Sequence, residues 1–231
     1  MASTSDKGKT IFEMAKDWWN KGDDKDDTPQ VAPTPRQPAA DNPFDLKHGD
    51  FAQFKTTSHA GKRFMVVEIS HYRRTVGGKM FTSTDFFLHD EDSDTYVTLR
   101  ANPRANITPD DPRRTDFLVL EPDYEGEYDE TLHKQVLPGG VIDVRNDAGE
   151  VVATYQRLYG KNVPDALSVQ VLAADGTNVT EKYEGWDFGR NLPNGKPEFY
   201  FVEMSTDTGR FQMLRGTLVN ERDIVAVRAS N

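Results

Sequence analysis

The feature that most constrains this chain is a change of rhythm at Phe44, after which apolar and polar residues alternate every second position and turn residues recur at short, even spacing. Alternation of this period fits a pleated strand with one buried face, because successive side chains leave opposite faces. It predicts strands over 50–55, 63–71, 80–88, 95–101, 117–120, 141–144, 151–159, 168–173, 199–204, 210–218 and 223–228. Between them Ala60-Gly61, Gly77-Gly78, Pro138-Gly139-Gly140, Asp147-Ala148-Gly149, Asp175-Gly176, Asn194-Gly195 and Thr208-Gly209 supply the turns. Many short strands with few helical stretches read as a mostly β body, an antiparallel barrel or sandwich. The longest break, 102–116, holds three prolines and three arginines and leaves open whether the body over 44–231 is one unit or two packed β subdomains.

Ahead of the body the period is helical. Ile11, Ala15, Trp18 and Trp19 recur on one face, with Phe12 and Met14 widening the stripe. Thr10 with Glu13 makes a capping box, and Asn20 with Gly22 supplies a stop. This predicts an amphipathic helix over 10–20 within a segment 1–21. At about three turns such a helix is marginal alone in water and gains order by docking. Residues 22–43 begin Gly22-Asp23-Asp24-Lys25-Asp26-Asp27 and then carry five prolines between Thr28 and Pro43, a composition that reads as a Pro-rich acidic tether.

Composition narrows the function classes. With 231 residues the chain is long enough to bury a real core, and with no cysteine it has no disulfide, thiolate metal site or cysteine nucleophile. The apolar runs Phe64-Met65-Val66-Val67 and Phe117-Leu118-Val119-Leu120 are strand-sized, far short of the roughly 20 residues of a spanning helix. The N-terminus does not read as a secretory signal, so the expected compartment is the cytoplasm. Net charge is −10, and from Phe44 onward 22 basic residues face 30 acidic ones, which disfavours a nucleic-acid surface. Arg100, Arg104, Arg113 and Arg114 bracket one loop as a local basic run.

Motifs for chemistry are weak. The acidic run His89-Asp90-Glu91-Asp92-Ser93-Asp94 begins like a calcium loop, but Thr95 and Ala101 stand where the loop needs glycine and a bidentate glutamate, so it reads as a solvated hairpin tip. His48, His59, His71, His89 and His133 fall at no zinc-binding spacing; His71 reads as a packed strand residue and His89 as a surface one. Neither a phosphate-cradling loop nor a nucleophile elbow is present, and no metal or cofactor is expected. Tyr183, Trp186 and Tyr200 lie among Asp and Asn residues and can form a sugar- or peptide-binding face, although core packing explains them with fewer assumptions.

His48-Gly49-Asp50-Phe51, Phe64-Met65-Val66-Val67-Glu68-Ile69 and Asp85-Phe86-Phe87-Leu88 together resemble a small bacterial β module found in proteins encoded beside PspA-type membrane-stress proteins. The resemblance covers residues 46–100 and implies a β-barrel-like fold, a membrane-stress or membrane-remodelling context and no catalytic residue. The expected function is therefore a non-enzymatic adaptor or scaffold. Its helix would dock a protein partner through Ile11, Phe12, Ala15, Trp18 and Trp19. Lipid binding by the same helix, membership of a self-assembling phage or secretion particle, and glycan or peptide binding are the alternatives.

Overall fold

The computed structural model describes residues 43–76, 79–103, 115–127, 130, 131, 134, 140–158 and 164–228. The helix expected over 10–20, with Ile11, Phe12, Ala15, Trp18 and Trp19, lies outside the described residues, as do tether residues 22–42. The described strands are β1 (Phe51–Phe54), β2 (Arg63–Val76), β3 (Lys79–Asp90), β4 (Thr95–Pro103), β5 (Thr115–Glu127), β6 (Val141–Arg145), β7 (Val151–Arg157), β8 (Asp165–Leu172), β9 (Asn178–Asn191), β10 (Pro197–Ser205), β11 (Arg210–Val219) and β12 (Ile224–Val227).

Eight of these close into an antiparallel barrel in the order β2-β3-β4-β5-β11-β10-β9-β8, with β8 pairing back onto β2. The two longest strands each serve two neighbours along one edge. Arg63 to Met65 of β2 pair with β1 while Ile69 to Thr75 pair with β8. On β9, residues Asn178 to Gly185 pair with β8 while Phe188 and Gly189 pair with β7. Thus β1 and β12 extend from one strand of the barrel and β6 and β7 from another. The break at 102–116 does not separate two sheets, because β4 and β5 on either side of it pair directly, Thr98 with Leu120 and Pro103 with Thr115.

Which face is inside follows from contacts between strands that are not neighbours. Arg100 on β4 bonds Glu203 on β10, with β5 and β11 intervening in the sheet, so this contact crosses the lumen. Register then assigns the rest: Asp85 lies opposite Arg100 and Ser70 opposite Asp85, while Gln212 lies opposite Glu203. The lumen therefore holds a buried polar set between two apolar groups, Leu118, Leu120, Phe201 and Leu214 on one side and Tyr72, Leu167, Val169 and Tyr183 on the other.

The apolar set of the same strands faces outward. Phe64, Val66, Phe86, Leu88, Val97, Leu99, Phe117 and Val119 form one cluster with Ala52 and Phe54 of β1 and Ile224 and Ala226 of β12. Trp186, Phe188, Tyr200, Val202, Phe211 and Met213 form a second with Ile142 of β6 and Ala153 and Tyr155 of β7. The outlying strand pairs, β1 with β12 and β6 with β7, cover apolar barrel surface that would otherwise meet water.

Gly216 of β11 faces Leu120 across the β5 pairing, where a Cβ would stand 2.6 Å from Leu120 Cδ2 and 3.3 Å from Phe201 Cε2. Gly216→Val overpacks this side of the lumen. It is expected to lower stability by about 1–3 kcal/mol, read as a reduced urea midpoint at unchanged slope.

Candidate functional site

The densest chemistry in the described residues is the lumen cluster. Arg100 donates from Nε to Asp85 Oδ1 (2.8 Å) and from Nη2 to Asp85 Oδ2 (2.8 Å), and again from Nη2 to Glu203 Oε1 (3.0 Å). Glu203 Oε2 accepts from Gln212 Nε2 at 2.7 Å. The guanidinium is sandwiched by the rings of Tyr72 and Phe201, whose centroids lie 4.8 and 4.9 Å away. Arg74 pairs with Asp187 beside it. Side-chain exposure of Arg100, Asp85 and Glu203 is 4%, 1% and 0%, so water does not reach them. Burial raises the Asp85 carboxyl against the pull of Arg100, whereas the two carboxylates hold the Arg100 guanidinium charged despite its burial. This arrangement is a closed ion lock. Its donors and acceptors face one another and leave no approach for a substrate.

A second polar ladder runs outside the barrel. Tyr200 donates from its hydroxyl to Asp123 Oδ2 at 2.8 Å and Arg215 donates to Asp123 Oδ1 at 2.8 Å. Tyr155 donates to Glu198 Oε2 at 2.8 Å, as does Arg190 Nε at 2.6 Å, and the Arg190 guanidinium lies over the Tyr155 ring. Burial, with the adjoining carboxylates, pushes the Tyr155 and Tyr200 phenols up, so both remain protonated donors.

This ladder borders a recess of about 1180 Å³ between the β1–β2 loop, β5, the β9–β10 turn and the end of β11. Its floor is Val119, Val219 and Ile224, and its sides carry Leu192, Pro197 and Leu218 with the hydroxyls of Thr56, Thr57, Ser58 and Thr217. Glu121 anchors one wall: its Oε1 accepts from Ser58 Oγ at 2.8 Å and lies 2.8 Å from His59 Nε2. Both bonds end on the carboxylate, so Ser58 is not paired to the imidazole as a nucleophile would be.

Tyr183, Trp186 and Tyr200 do not form one face. Tyr183 is buried with Tyr72, Leu167 and Val169, its hydroxyl on Glu181 Oε2 at 2.8 Å, whereas Trp186 and Tyr200 are buried in the second apolar cluster. An odd spacing of three along one strand sends Tyr183 and Trp186 to opposite sides. The histidines exchange their expected places. A bulge between Val66 and Glu68 shifts the parity of β2, leaving His71 exposed with Nδ1 3.1 Å from Thr84 Oγ1. His89 is buried, stacked on Tyr96 at 4.2 Å and bonded to Asp94 Oδ1 at 3.2 Å. The acidic turn is likewise folded on itself, with Ser93 Oγ bonding Asp90 Oδ2 at 2.5 Å. Arg100, read from sequence as part of a basic loop, is the centre of the lock. Among the described residues no three metal-ligating side chains gather, and no helix is long and apolar enough to cross a membrane. No protein-family model, curated protein or solved structure matches the chain.

Arg100→Met leaves Asp85 and Glu203 buried without their cation and is expected to cost about 3–5 kcal/mol in urea unfolding at pH 7. Glu68 gives the opposite effect. Burial lifts its carboxyl to about 7, the Glu181 and Glu125 charges adding to the rise and Ser70 and Arg210 opposing it. A carboxyl raised in the folded state destabilises once ionised, so the penalty is full above the folded value and vanishes below the unfolded one. Glu68→Gln should therefore stabilise at pH 8, with the gain fading as pH falls from about 7 toward the ordinary carboxylate range near 4.5. Thermal midpoints across that range provide the check.

Proposed function

We propose that this chain is a non-enzymatic adaptor, in which the barrel is a rigid frame and binding takes place outside it. The observation that carries this reading is the pairing of an ion-locked lumen with an outer recess of about 1180 Å³. A barrel whose interior is filled by its own charges has no room for a ligand there. The recess exceeds the roughly 300–1,000 Å³ usual for small-molecule pockets and mixes an apolar floor with hydroxyl walls, a character that suits a segment of protein chain.

The N-terminal segment supplies the second docking element. Phe12, Trp18 and Trp19 are anchors of the kind that dominate helix-in-groove recognition, and the tether at 22–43 sets their reach. The resemblance over residues 46–100 is what supports a membrane-stress or membrane-remodelling setting for this adaptor. Co-purification from the native host with the full chain and with a chain lacking residues 1–21 tests the reading. The full chain should retain at least one protein that the shortened chain loses, while the shortened chain keeps others. Identical partner sets from both would overturn it.

A further inference from the structure

We infer that the chain dimerises through the outer edge of β6, which pairs antiparallel with the same strand of a second copy about a twofold axis at Val144. The sheet ends at β6 on one side, and among the described residues no strand pairs with its outer edge. β6 reads Val141-Ile142-Asp143-Val144-Arg145, with neither the proline nor the lysine that blunts an exposed edge. The opposite end of the sheet is not equivalent: β12 is four residues long, carries no charge and contacts the 3₁₀ turn Pro43–Asp45.

The phase of the β6 backbone decides which residues a partner strand meets. Gly140 O accepts from Arg157 N at 2.7 Å, and Asn146 N donates to Glu150 O at 3.0 Å. Backbone groups in an antiparallel ladder turn to alternate sides, so Gly140, Ile142, Val144 and Asn146 bond toward β7. Val141, Asp143 and Arg145 turn their N–H and C=O groups to the open edge. Their side chains share the exposed outer face of the hairpin, whereas Ile142 and Val144 face the second apolar cluster. An antiparallel partner must set outward-turned residues opposite one another, which leaves few registers. Asp143 on Asp143, or Arg145 on Arg145, brings like charges together, and pairing Val141 with Asp143 leaves Arg145 unmatched. Asp143 opposite Arg145 of the second copy satisfies both charges, and the twofold axis repeats the pair. The same register brings Val144 onto its own copy at the centre.

The neighbouring side chains suit this pairing. Thr154 Oγ1 donates to Asp143 Oδ1 at 2.6 Å, which fixes the carboxylate on the outer face, and Val151 lies opposite Arg145 on the same face. Val141, Val151, Val152 and Leu158 are four of the seven large apolar side chains left exposed among the described residues, so the uncovered apolar area of the body concentrates on this hairpin. In the dimer Val151 borders the ion pairs and shields them from water. Val144, only half-buried at the margin of the second cluster, gains cover from its copy. A five-residue edge makes a small interface, so the dimer is reversible.

Sedimentation of the full chain tests the pairing. It should pass from monomer to dimer between about 1 and 100 µM, the range of a small interface. Asp143→Arg and Arg145→Asp each set like charges opposite one another on both sides of the axis, and each should weaken self-association about tenfold or more. The exchanged chain Asp143→Arg/Arg145→Asp restores both pairs and should recover the dimer, and the two single variants mixed should form a mixed dimer. All of these substitutions fall on exposed side chains, so the fold is retained. Position is read by oxidation, in a chain with no cysteine of its own. The Val144→Cys thiols meet in a non-hydrogen-bonded pair with Cα atoms about 4.5 Å apart and should cross-link. Those of Val152→Cys, at least three strand spacings or about 14 Å apart, should not. A chain monomeric throughout the range would overturn the inference, as would a dimer indifferent to the single substitutions or one that the exchanged chain fails to recover. So would a dimer in which Val152→Cys cross-links as readily as Val144→Cys. None of these residues lines the recess or belongs to the N-terminal segment, so failure here leaves the adaptor reading to the co-purification.

Discussion

Arg100 clasps Asp85 with two nitrogens and reaches across the lumen to Glu203, and the rings of Tyr72 and Phe201 close its two faces. Several strands must be in the right register for this to exist. Asp85 has to lie opposite Arg100 on β3 and β4, and Gln212 opposite Glu203 on β10 and β11. A slip of one residue in any of them would carry a charge to the apolar outer face and bring an apolar side chain into the lock. Replacing such a buried set with apolar residues need not weaken a protein, whereas orphaning one member does. The lock therefore acts chiefly on register, penalising every arrangement but one.

Its parity dictates the rest of the architecture. With polar residues inward, the alternate residues of the same strands are apolar and outward, and they need cover. That cover comes from β1 and β12 on one side and β6 and β7 on the other. The barrel strands that carry these covers, β2 and β9, are accordingly the longest, each pairing with a closing strand along one half and a covering strand along the other. The bulge between Val66 and Glu68 belongs to the same design. It returns Ile69 to the outer apolar cluster while Tyr72 and Arg74 reach the lumen.

The sequence made the β class and most strands legible because alternation survives whichever face is buried. It did not show which face that is, since a period of two carries no sign. Arg100 consequently read as loop charge, and His71 and His89 read as each other's environments. β9 went unseen as a strand because Gly185 and Gly189 interrupt its pattern and charges alternate with its aromatics. Those glycines answer to close packing: a Cβ at Gly185 would stand 2.5 Å from Leu167 Cδ1, and one at Gly189 would stand 2.9 Å from Leu158 Cδ2. Without β9 the ring cannot be closed on paper. Tyr183 and Trp186 then look like neighbours on one surface, although the strand sends them to different cores. The recess was invisible for a related reason, being assembled from the β1–β2 loop, the β9–β10 turn, the 3₁₀ turn Glu221–Asp223 and residues of four strands, β5, β10, β11 and β12.

The lumen and the recess share their wall. Along β5, Leu120 points into the lumen cluster and Glu121 lines the recess; along β10, Phe199 and Glu198 divide in the same way; along β11, Gly216 and Thr217 do so again. The back of each recess residue is thus held by the packing around the ion lock. A surface fixed in this manner spends little binding free energy on ordering itself, so what is gained on contact appears as affinity. The ordering cost falls instead on whatever enters. Rigidity inside the barrel is thereby carried through to the surface outside it.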